Sequence, residues 1–318
     1  MPLQPPETIA RGLGCQSLQQ LNKVRDLEIP GSESRGLDAS LLLSSMSSSE
    51  TFHPPKHSSL IQVSFPQEHV LLLTLNRPKS LNAMTPKMAQ EIDTVLKWFN
   101  EEPGLWVAIV TGAGRIFCAG QDLIAWNTNQ ANDDNSETEN ILKDRTGFGA
   151  ISRRQMSKPI IAAVNGGAYG GGMEIVLNCD VVVASEDAKF ALPEVKRGVV
   201  AAQGGIPRLA NIAGHQLAAE MLLTGRPVTA QEAYSRFGFV NLVVPASELL
   251  SSALRVATQI NNNSPDAVQS TKLGLLLSQN APYEESFEKH MVSPENARVF
   301  GSENIMKRKP TWKNPAKL

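Results

Sequence analysis

A glycine-rich segment in the middle of the chain constrains the fold more than any other feature. Five glycines occur within residues 166–172, directly after an apolar run over residues 160–164 and before a short apolar helix predicted over residues 175–178. Such a turn lets the backbone approach its surroundings closely, and it leads into a helix whose first N–H groups lack partners. Those N–H groups can face a carbonyl oxygen or an anion, although a tightly packed turn has the same pattern. The segment therefore predicts a strand, a turn and a helix, with a ligand site as one of two interpretations.

Short apolar runs from Leu60 onward predict an α/β fold, because they alternate with segments of helical periodicity. The predicted strands cover residues 61–65, 70–75, 107–111, 160–164 and 181–184. The clearest helix follows Thr85, a suitable N-cap residue, and has Pro86 in its first position. One face of this helix is apolar, which predicts core packing and no chemistry: Met88, Ile92, Val95, Leu96 and Phe99.

The pattern along the chain divides it into three parts. Residues 1–57 contain proline pairs and a serine-rich run, and they predict a weakly ordered N-terminal extension. Acidic residues offset the basic ones there, which disfavours a mitochondrial transit peptide. Residues 58–245 hold the strand signals and both glycine-bearing turns. Beyond Pro245 the strand signals stop, and helices predicted over residues 246–262, 264–279 and 282–308 form a C-terminal helical region, residues 246–318.

The overall composition excludes several classes of protein. Lysine and arginine number 30 against 31 acidic residues, so the net charge is close to zero. It gives no indication that the protein binds nucleic acid or an anionic membrane. The three cysteines, Cys15, Cys118 and Cys179, are too few and too scattered for a disulfide framework or a zinc cluster. No apolar stretch approaches the roughly 20 residues that a membrane-spanning helix needs. We expect a globular protein without a metal site or a nucleic-acid partner.

Two further segments carry candidate chemistry. A second glycine-bearing turn, residues 115–123, follows the predicted strand over residues 107–111, so backbone N–H groups from both turns can stabilise negative charge on one oxygen. The segment over residues 190–198 places Glu194 among apolar residues, 20 positions after Glu174. A lone glutamate in such a place is usually ion-paired or on the surface. Two carboxylates in one small site cannot both ionise freely, however, so one pKa should rise and that group can serve as an acid.

These segments, in this order, resemble the enoyl-CoA hydratase/isomerase family, also called the crotonases, over residues 58–318. The resemblance rests on an ordered set of motifs: Asn76-Arg77-Pro78 with Leu81-Asn82-Ala83, Cys118-Ala119-Gly120-Gln121-Asp122, Gly170-Gly171-Gly172-Met173-Glu174, Leu192-Pro193-Glu194, Leu223-Thr224-Gly225-Arg226 and Lys307-Arg308-Lys309-Pro310. It implies a spiral of ββα units over residues 58–245 and a C-terminal helical region that packs trimers, often paired into hexamers. The substrate would be an acyl thioester of coenzyme A, with no metal or redox cofactor.

The resemblance also implies roles for individual residues. The catalytic carboxylates would be Glu174, which activates water, and Glu194, which delivers a proton to C2 of the substrate. The oxyanion hole would consist of the backbone N–H groups of Gln121 and Gly171. Contacts with the substrate and coenzyme A would come from Lys79, Ser80, Leu81, Ala119, Gly120, Asp122 and Lys307.

Three features depart from the commonest family pattern. Gln121 stands where hydratases of the family often have a small residue, so its side chain would alter the shape of the pocket. A polar stretch over residues 127–140 lies where the family shapes the acyl pocket. Asn304 falls where family hydratases can offer an aromatic residue to coenzyme A.

Two carboxylates favour the addition of water to a 2-enoyl-CoA, in peroxisomal fatty-acid-type metabolism or in specialised acyl-chain metabolism. An enoyl-CoA isomerase, for which one carboxylate is sufficient, is an alternative. A hydroxyacyl-CoA dehydratase performs the same chemistry in reverse. A non-catalytic crotonase-like binding protein is the alternative outside enzymes.

The last three residues, Ala316, Lys317 and Leu318, resemble the peroxisomal signal S-K-L with alanine in place of serine. They predict binding to a peroxisomal import receptor and location in the peroxisome. The cytoplasm and the mitochondrion are the alternative locations.

Overall fold

The computed structural model describes residues 52–122, 143–305 and 312–315. These residues belong to a compact unit that begins at Phe52. The predictions for residues 1–51 and 127–140, for Lys307 and for the last three residues lie outside the described residues. Within the described ranges, no helix is both long and apolar enough to cross a membrane.

A six-stranded sheet forms the centre of the unit. In spatial order its strands are β1 (Ile61–Gln67), β2 (Val70–Leu75), β3 (Val107–Gly112), β5 (Ile160–Val164), β7 (Val181–Ser185) and β10 (Leu242–Val244). β1 and β2 are antiparallel, and every other neighbouring pair is parallel. The five predicted strands are confirmed. Apolar side chains occupy both faces of β3 and β5, as expected of parallel strands that are covered on each side.

A smaller sheet contains β4 (Ile116–Cys118), β6 (Gly167–Tyr169), β8 (Lys189–Ala191) and β9 (Val228–Thr229) in that spatial order. The first three strands are parallel to one another, and β9 is antiparallel to β8. Each of β4, β6 and β8 follows a strand of the larger sheet after a short turn. This repeated connection brings the two glycine-bearing turns to the same end of the parallel strands.

Among the described residues, four helices of eight or more residues lie between the strands: α1 (Pro86–Glu101), α2 (Gly171–Asn178), α3 (Gly205–Ala213) and α4 (His215–Thr224). Shorter helical turns cover Pro78–Ser80, Phe148–Ala150, Glu194–Arg197, Ala230–Glu232 and Ala233–Phe237. The predicted start of α1 is confirmed, because the Thr85 side chain accepts a hydrogen bond from the N–H of Met88 at 3.2 Å. The five apolar residues predicted for its inner face are all buried.

The C-terminal region is helical, as predicted, but its third helix is divided. A short turn at Ala246–Glu248 leads into α5 (Leu249–Asn261), which is followed by α6 (Pro265–Ser278), α7 (Tyr283–Met291) and α8 (Pro294–Gly301). The prediction of one helix over residues 282–308 is wrong. Ser293 caps α8 by accepting a hydrogen bond from the N–H of Asn296. Pro294 has no N–H with which to continue α7, so a new helix starts there.

Two apolar cores bury the faces of the larger sheet. One core lies between this sheet, α1, α2 and the smaller sheet, and it contains the buried residues of α1. The other lies under α5, where Leu249, Ala253 and Ala257 pack with Val107 and Ile161. The larger sheet is therefore a rigid support for the turns at the ends of its strands.

Candidate active site

Helix α2 carries Glu174 into the interior, where only 3% of its surface is exposed. The helix starts after Gly170, whose φ of 54° is favourable for glycine. The Oε1 atom of Glu174 accepts hydrogen bonds from the N–H groups of Gln203 at 2.8 Å and Gly205 at 2.9 Å. These two bonds hold one carboxyl oxygen in place and leave the other for chemistry.

Burial raises the pKa of the Glu174 carboxyl to about 7, because a charge is poorly solvated in this interior. The hydrogen bond from Gly205 opposes this rise, and the nearby charge of Glu194 adds to it. The sequence predicted that one pKa of the pair would rise through repulsion between the two carboxylates. The rise is confirmed, but desolvation is its main cause and repulsion is secondary.

Glu194 is the first residue of the helical turn Glu194–Arg197 and is partly buried. A Cβ atom on Gly170 would lie 3.2 Å from Oε1 of Glu194. The carboxyl group of Glu194 therefore contacts the turn from which α2 begins. Its Oε2 atom is buried and has no hydrogen-bond partner. Desolvation also raises the pKa of Glu194. The structure thus brings the two predicted catalytic carboxyl groups close enough together for the charge of Glu194 to raise the pKa of Glu174.

The two glycine-bearing turns lie side by side, as the sequence predicted. A Cβ atom on Gly120, which has a φ of 93°, would lie 2.9 Å from the carbonyl oxygen of Tyr169 and 3.6 Å from the nitrogen of Gly171. The C=O of Gly120 and the N–H of Asp122 both bind Met84. Because successive N–H groups of an extended segment point to opposite sides, the N–H of Gln121 points away from Met84.

The N–H of Gly171 is the first of α2 and has no acceptor within the helix. Both N–H groups proposed for the oxyanion hole are therefore free of the hydrogen bonds that shape their turns. The side chain of Gln121 is exposed.

The segment predicted to contact coenzyme A is held by an internal network. Lys79 and Ser80 are exposed in the turn that ends at Leu81, whose carbonyl oxygen accepts the N–H of Ala119 at 3.0 Å. Asp122, another predicted contact, forms an ion pair of 3.0 Å with Arg77. This ion pair links the exposed turn directly to the segment that contains Gln121.

Two positions near the C-terminus bear on coenzyme A binding: Lys307, a predicted contact, and Asn304, where the family pattern is not kept. Lys307 lies outside the described residues. Asn304 is buried, and its side-chain amide binds Oδ2 of Asp266 at 2.8 Å and the carbonyl oxygen of Lys313 at 2.9 Å. Asn304 therefore joins parts of the C-terminal region to each other, which is a structural role.

Sequence reasoning missed the residues that support the acid–base pair. Gln203 and Gly205 hold Glu174, and the hydroxyl of Ser152 donates a hydrogen bond to the carbonyl oxygen of Gln203 at 2.8 Å. The adjacent glycines at positions 204 and 205 were the available signal, since such a pair indicates close backbone approach. A Cβ atom on Gly205 would lie 3.0 Å from Cγ of Glu174.

Comparison with known proteins identifies the family. The sequence profile described as "Enoyl-CoA hydratase/isomerase" matches residues 66–314. The chain is 44% identical over 276 residues to mevalonyl-coenzyme A hydratase sidH of Aspergillus fumigatus, covering 84% of this chain and 98% of that protein. It is 39% identical over 256 residues to the carnitinyl-CoA dehydratase of Proteus mirabilis, covering 77% of this chain and 95% of that protein.

Solved structures show the same architecture. The enoyl-CoA hydratase EchA1 of Mycobacterium marinum superimposes with a TM-score of 0.68 at 33% sequence identity, covering 77% of this chain and 92% of that one. An enoyl-CoA hydratase of Mycobacterium tuberculosis gives a TM-score of 0.68 at 32% identity, covering 81% and 100%. The fold is therefore the crotonase fold. The chain belongs to the enoyl-CoA hydratase/isomerase family.

Proposed function

We propose that this chain is a hydro-lyase that adds water across the C2–C3 double bond of a 2-enoyl-CoA and removes it in the reverse direction. The observation that carries this proposal is a pair of interacting carboxyl groups, those of the buried Glu174 and the partly buried Glu194. A double-bond isomerase needs one group to move a proton between carbons. Addition of water needs one group to take a proton from water and another to supply a proton to carbon. The names of the similar hydratase and dehydratase support the same chemistry.

In the proposed mechanism Glu174 acts as the base. Its Oε1 atom is occupied by the N–H groups of Gln203 and Gly205, so Oε2 accepts the proton from water. The water oxygen then forms a bond to C3 of the enoyl group. A pKa of about 7 suits this role, because the carboxylate is substantially populated near neutral pH and is basic enough to remove a proton.

Glu194 acts as the acid in the same direction. As the C3–O bond forms, the electrons of the double bond move towards the thioester oxygen. The backbone N–H groups of Gln121 and Gly171 donate hydrogen bonds to that oxygen and stabilise its negative charge. Glu194 transfers its proton to C2, which gives the 3-hydroxyacyl-CoA. Glu174 ends protonated and Glu194 ionised, and proton exchange restores the starting state.

We propose that the remaining predicted residues hold coenzyme A. Lys79, Ser80 and Leu81 lie on the exposed turn that Ala119 binds, and Gly120 and Asp122 flank the oxyanion donor. Lys307 would add a positive charge for the coenzyme A phosphates. The mechanism itself assigns every proton transfer to this chain's carboxyl groups and uses no metal or redox cofactor.

The test measures hydration directly. Purified protein is mixed with crotonyl-CoA and longer 2-enoyl-CoA thioesters, and loss of the absorbance of the conjugated thioester is followed. We expect Glu174→Gln and Glu194→Gln each to lower kcat at least about 100-fold. Glu186→Gln, a change of an exposed glutamate, serves as the matched control. Binding of these thioesters without loss of absorbance would refute the proposal and favour isomerisation of 3-enoyl-CoA.

We also propose that the protein works as a homotrimer or hexamer in the peroxisome, with Ala316, Lys317 and Leu318 as the import signal. A fluorescent protein that ends in residues 309–318 should enter peroxisomes, and the same fusion without Leu318 should stay in the cytoplasm. Cytoplasmic signal from both fusions would contradict this location. Light scattering of the purified chain measures the assembly, and a monomer would contradict it.

A further inference from the structure

The hydroxyl of Ser152 lies between the two halves of the site. It accepts a hydrogen bond from the N–H of Phe148 at 2.8 Å and donates one to the carbonyl oxygen of Gln203 at 2.8 Å. The residue is fully buried, and a Cβ atom on Gly147 would lie 2.5 Å from the hydroxyl oxygen, so the backbone packs closely around it. Ser152 therefore fixes the main chain of a residue that is 51 positions away in the sequence.

The bond that Ser152 donates acts on the base. The carbonyl oxygen that accepts it belongs to the peptide unit between Gln203 and Gly204. On either side of this unit are the N–H groups of Gln203 and Gly205, which both bind Oε1 of Glu174. Gly204 has a φ of 107°, and a left-handed residue can direct the N–H groups around it towards one oxygen. Rotation of the central peptide unit would change the direction of both N–H groups, and the hydroxyl opposes that rotation.

The bond that Ser152 accepts acts on the proposed oxyanion hole. The ring of Phe148 packs against Gly171, whose N–H is one of the two donors assigned to the thioester oxygen. Ser152 holds the main chain of Phe148 twice, because the carbonyl oxygen of Phe148 also accepts the N–H of Ser152 at 3.1 Å. One serine is thus attached to the support of the base and to the residue that packs against the oxyanion donor.

The segment that carries Ser152 is itself firmly held. Ala150 has a φ of 56°, which is uncommon for a residue with a side chain and persists only where the surroundings enforce it. Its carbonyl oxygen accepts Nε of Arg154 at 2.7 Å, and Arg154 forms an ion pair with Asp93 of α1. The side-chain amide of Asn178, at the end of α2, donates to the carbonyl oxygen of Arg154 at 2.9 Å. Ser152 therefore orients its partners from a fixed position.

Glu174 responds to this arrangement through its hydrogen bonds. Burial is the main cause of its raised pKa, and the N–H groups of Gly205 and Gln203 oppose the rise because they favour the carboxylate. The charges that act on it come from Glu194, which raises its pKa, and from Arg208, which lowers it. Removal of an uncharged hydroxyl alters neither charge, whereas it releases the peptide unit on which the hydrogen bonds depend.

We propose that Ser152 is a positioning residue of the reaction, whose hydroxyl holds the base Glu174 and the oxyanion donor Gly171 in their working arrangement. This inference rests on the proposed hydratase function and adds a residue to the same site. The hydroxyl takes part in no proton transfer. Because the base and the oxyanion donor act in the transition state, its loss slows the conversion of bound substrate and leaves the proposed contacts with coenzyme A in place.

The experiment measures steady-state kinetics over a range of pH on the 2-enoyl-CoA that the wild type hydrates fastest. In Ser152→Ala we expect kcat to fall about 10-fold to 100-fold, while KM stays within about threefold of the wild type. The acid limb of kcat/KM should move to higher pH by at least about half a unit, because the carboxylate loses hydrogen bonding. Ser152→Thr keeps a hydroxyl and should restore the wild-type midpoint.

A matched control is available in α7. Ser286 is a buried serine whose hydroxyl also donates to a carbonyl oxygen at 2.8 Å, that of Tyr283. Ser286→Ala removes a comparable hydrogen bond away from the site. We expect it to keep the wild-type kcat and the wild-type midpoint, whatever it does to stability.

A measurement without turnover guards against misfolding. Nuclear magnetic resonance of ¹³C-labelled glutamate carboxyl carbons follows the ionisation of Glu174 in the folded protein, and urea unfolding establishes that each variant is folded. In Ser152→Ala the Glu174 signal should titrate at higher pH than in the wild type, by about the same amount as the kinetic midpoint. A serine with a merely structural role would lower stability without moving this titration.

The outcomes separate this inference from the proposed function. A folded Ser152→Ala protein with the wild-type kcat overturns the role of Ser152 and leaves the hydratase proposal intact. A slower variant in which the titration of Glu174 is unmoved also overturns it, because the loss then reflects general damage to the fold. Absence of hydration by the wild-type protein refutes the proposed function, and the inference about Ser152 falls with it.

Discussion

The ring of Phe148 fills the space in which a side chain on Gly171 would begin. A Cβ atom at residue 171 would lie 2.4 Å from Cγ of that ring. The two residues belong to separate elements, the helical turn Phe148–Ala150 and helix α2. The first N–H of α2, which we assign to the oxyanion hole, is thus held by a contact that only a glycine permits.

This contact predicts the effect of enlarging residue 171. In Gly171→Ala the new methyl group must displace Phe148 or α2, so we expect kcat to fall about 100-fold and stability to fall by about 1–3 kcal/mol. Adding Phe148→Ala should recover much of the loss that enlargement causes, as measured by urea unfolding in a double-mutant cycle. Gly301→Ala is the control, because a Cβ atom there meets nothing within 4 Å. Additive losses in the cycle would show that the contact does not constrain Gly171.

The raised pKa of Glu174 predicts that this residue lowers stability at alkaline pH. The unfolded carboxyl ionises near 4.5 and the folded one near 7. The folded protein favours the protonated form of Glu174. Its stability is therefore undiminished below about pH 4.5 and falls as the pH rises through about 7, where the buried carboxyl group ionises. Each tenfold difference in the ionisation constant is about 1.4 kcal/mol, which gives about 3 kcal/mol.

We expect Glu174→Gln to be more stable than the wild type at about pH 8, by up to about 3 kcal/mol in urea unfolding. The difference should nearly disappear at about pH 4, where the Glu174 carboxyl group is mostly protonated in both the folded and the unfolded wild-type protein. Glu186→Gln should show neither effect, since that residue is exposed. A variant that is equally stable or less stable at alkaline pH would contradict burial as the cause of the shift.

The same carboxyl group predicts the pH dependence of catalysis. The proposed mechanism requires Glu174 as a carboxylate, so kcat/KM should fall tenfold per pH unit on the acid side of a midpoint near 7. Nuclear magnetic resonance of ¹³C-labelled glutamate carboxyl carbons assigns the midpoint. In Glu194→Gln the Glu174 signal should titrate at lower pH, because the neighbouring charge is removed. An unchanged midpoint would show that the two carboxyl groups do not interact.

The buried side chain of Asn82 holds the turn that we propose to contact coenzyme A. Its side chain is fully buried; Oδ1 accepts the N–H of Arg77 at 2.8 Å, and Nδ2 donates to the carbonyl oxygens of Ala113 at 2.9 Å and Ile116 at 2.7 Å. Asn82→Ala leaves these three backbone groups without partners, so we expect a loss of about 2–4 kcal/mol in unfolding free energy.

The loss of Asn82 should also raise KM for acyl-CoA, because the turn at residues 78–80 is released from strand β4. Steady-state kinetics on crotonyl-CoA measures this effect. Asn100→Ala, a change on the exposed face of α1, should leave stability and KM nearly unchanged. An Asn82→Ala protein with normal KM would indicate that this turn does not contact coenzyme A.

Features that depend on neighbouring residues along the chain were predictable from the sequence. The strands that became β2, β3, β5 and β7 are apolar runs that a covered sheet buries, and α1 shows its cap, its proline and its apolar face directly. The division between α7 and α8 was missed, although Ser293 and Pro294 carry the signal for a new helix.

The sequence by itself determined which residues are available for chemistry: two glutamates and two glycine-bearing turns. The tertiary structure alone decided how they work together. Gln203 and Gly205 come from a segment about 30 residues beyond Glu174 yet supply both of its hydrogen bonds. Burial, which exists only after the sheets and helices have packed, raises the pKa of Glu174 more than the charge of Glu194 does. Hydrogen bonding and desolvation depend on distances in space, which a linear pattern does not contain.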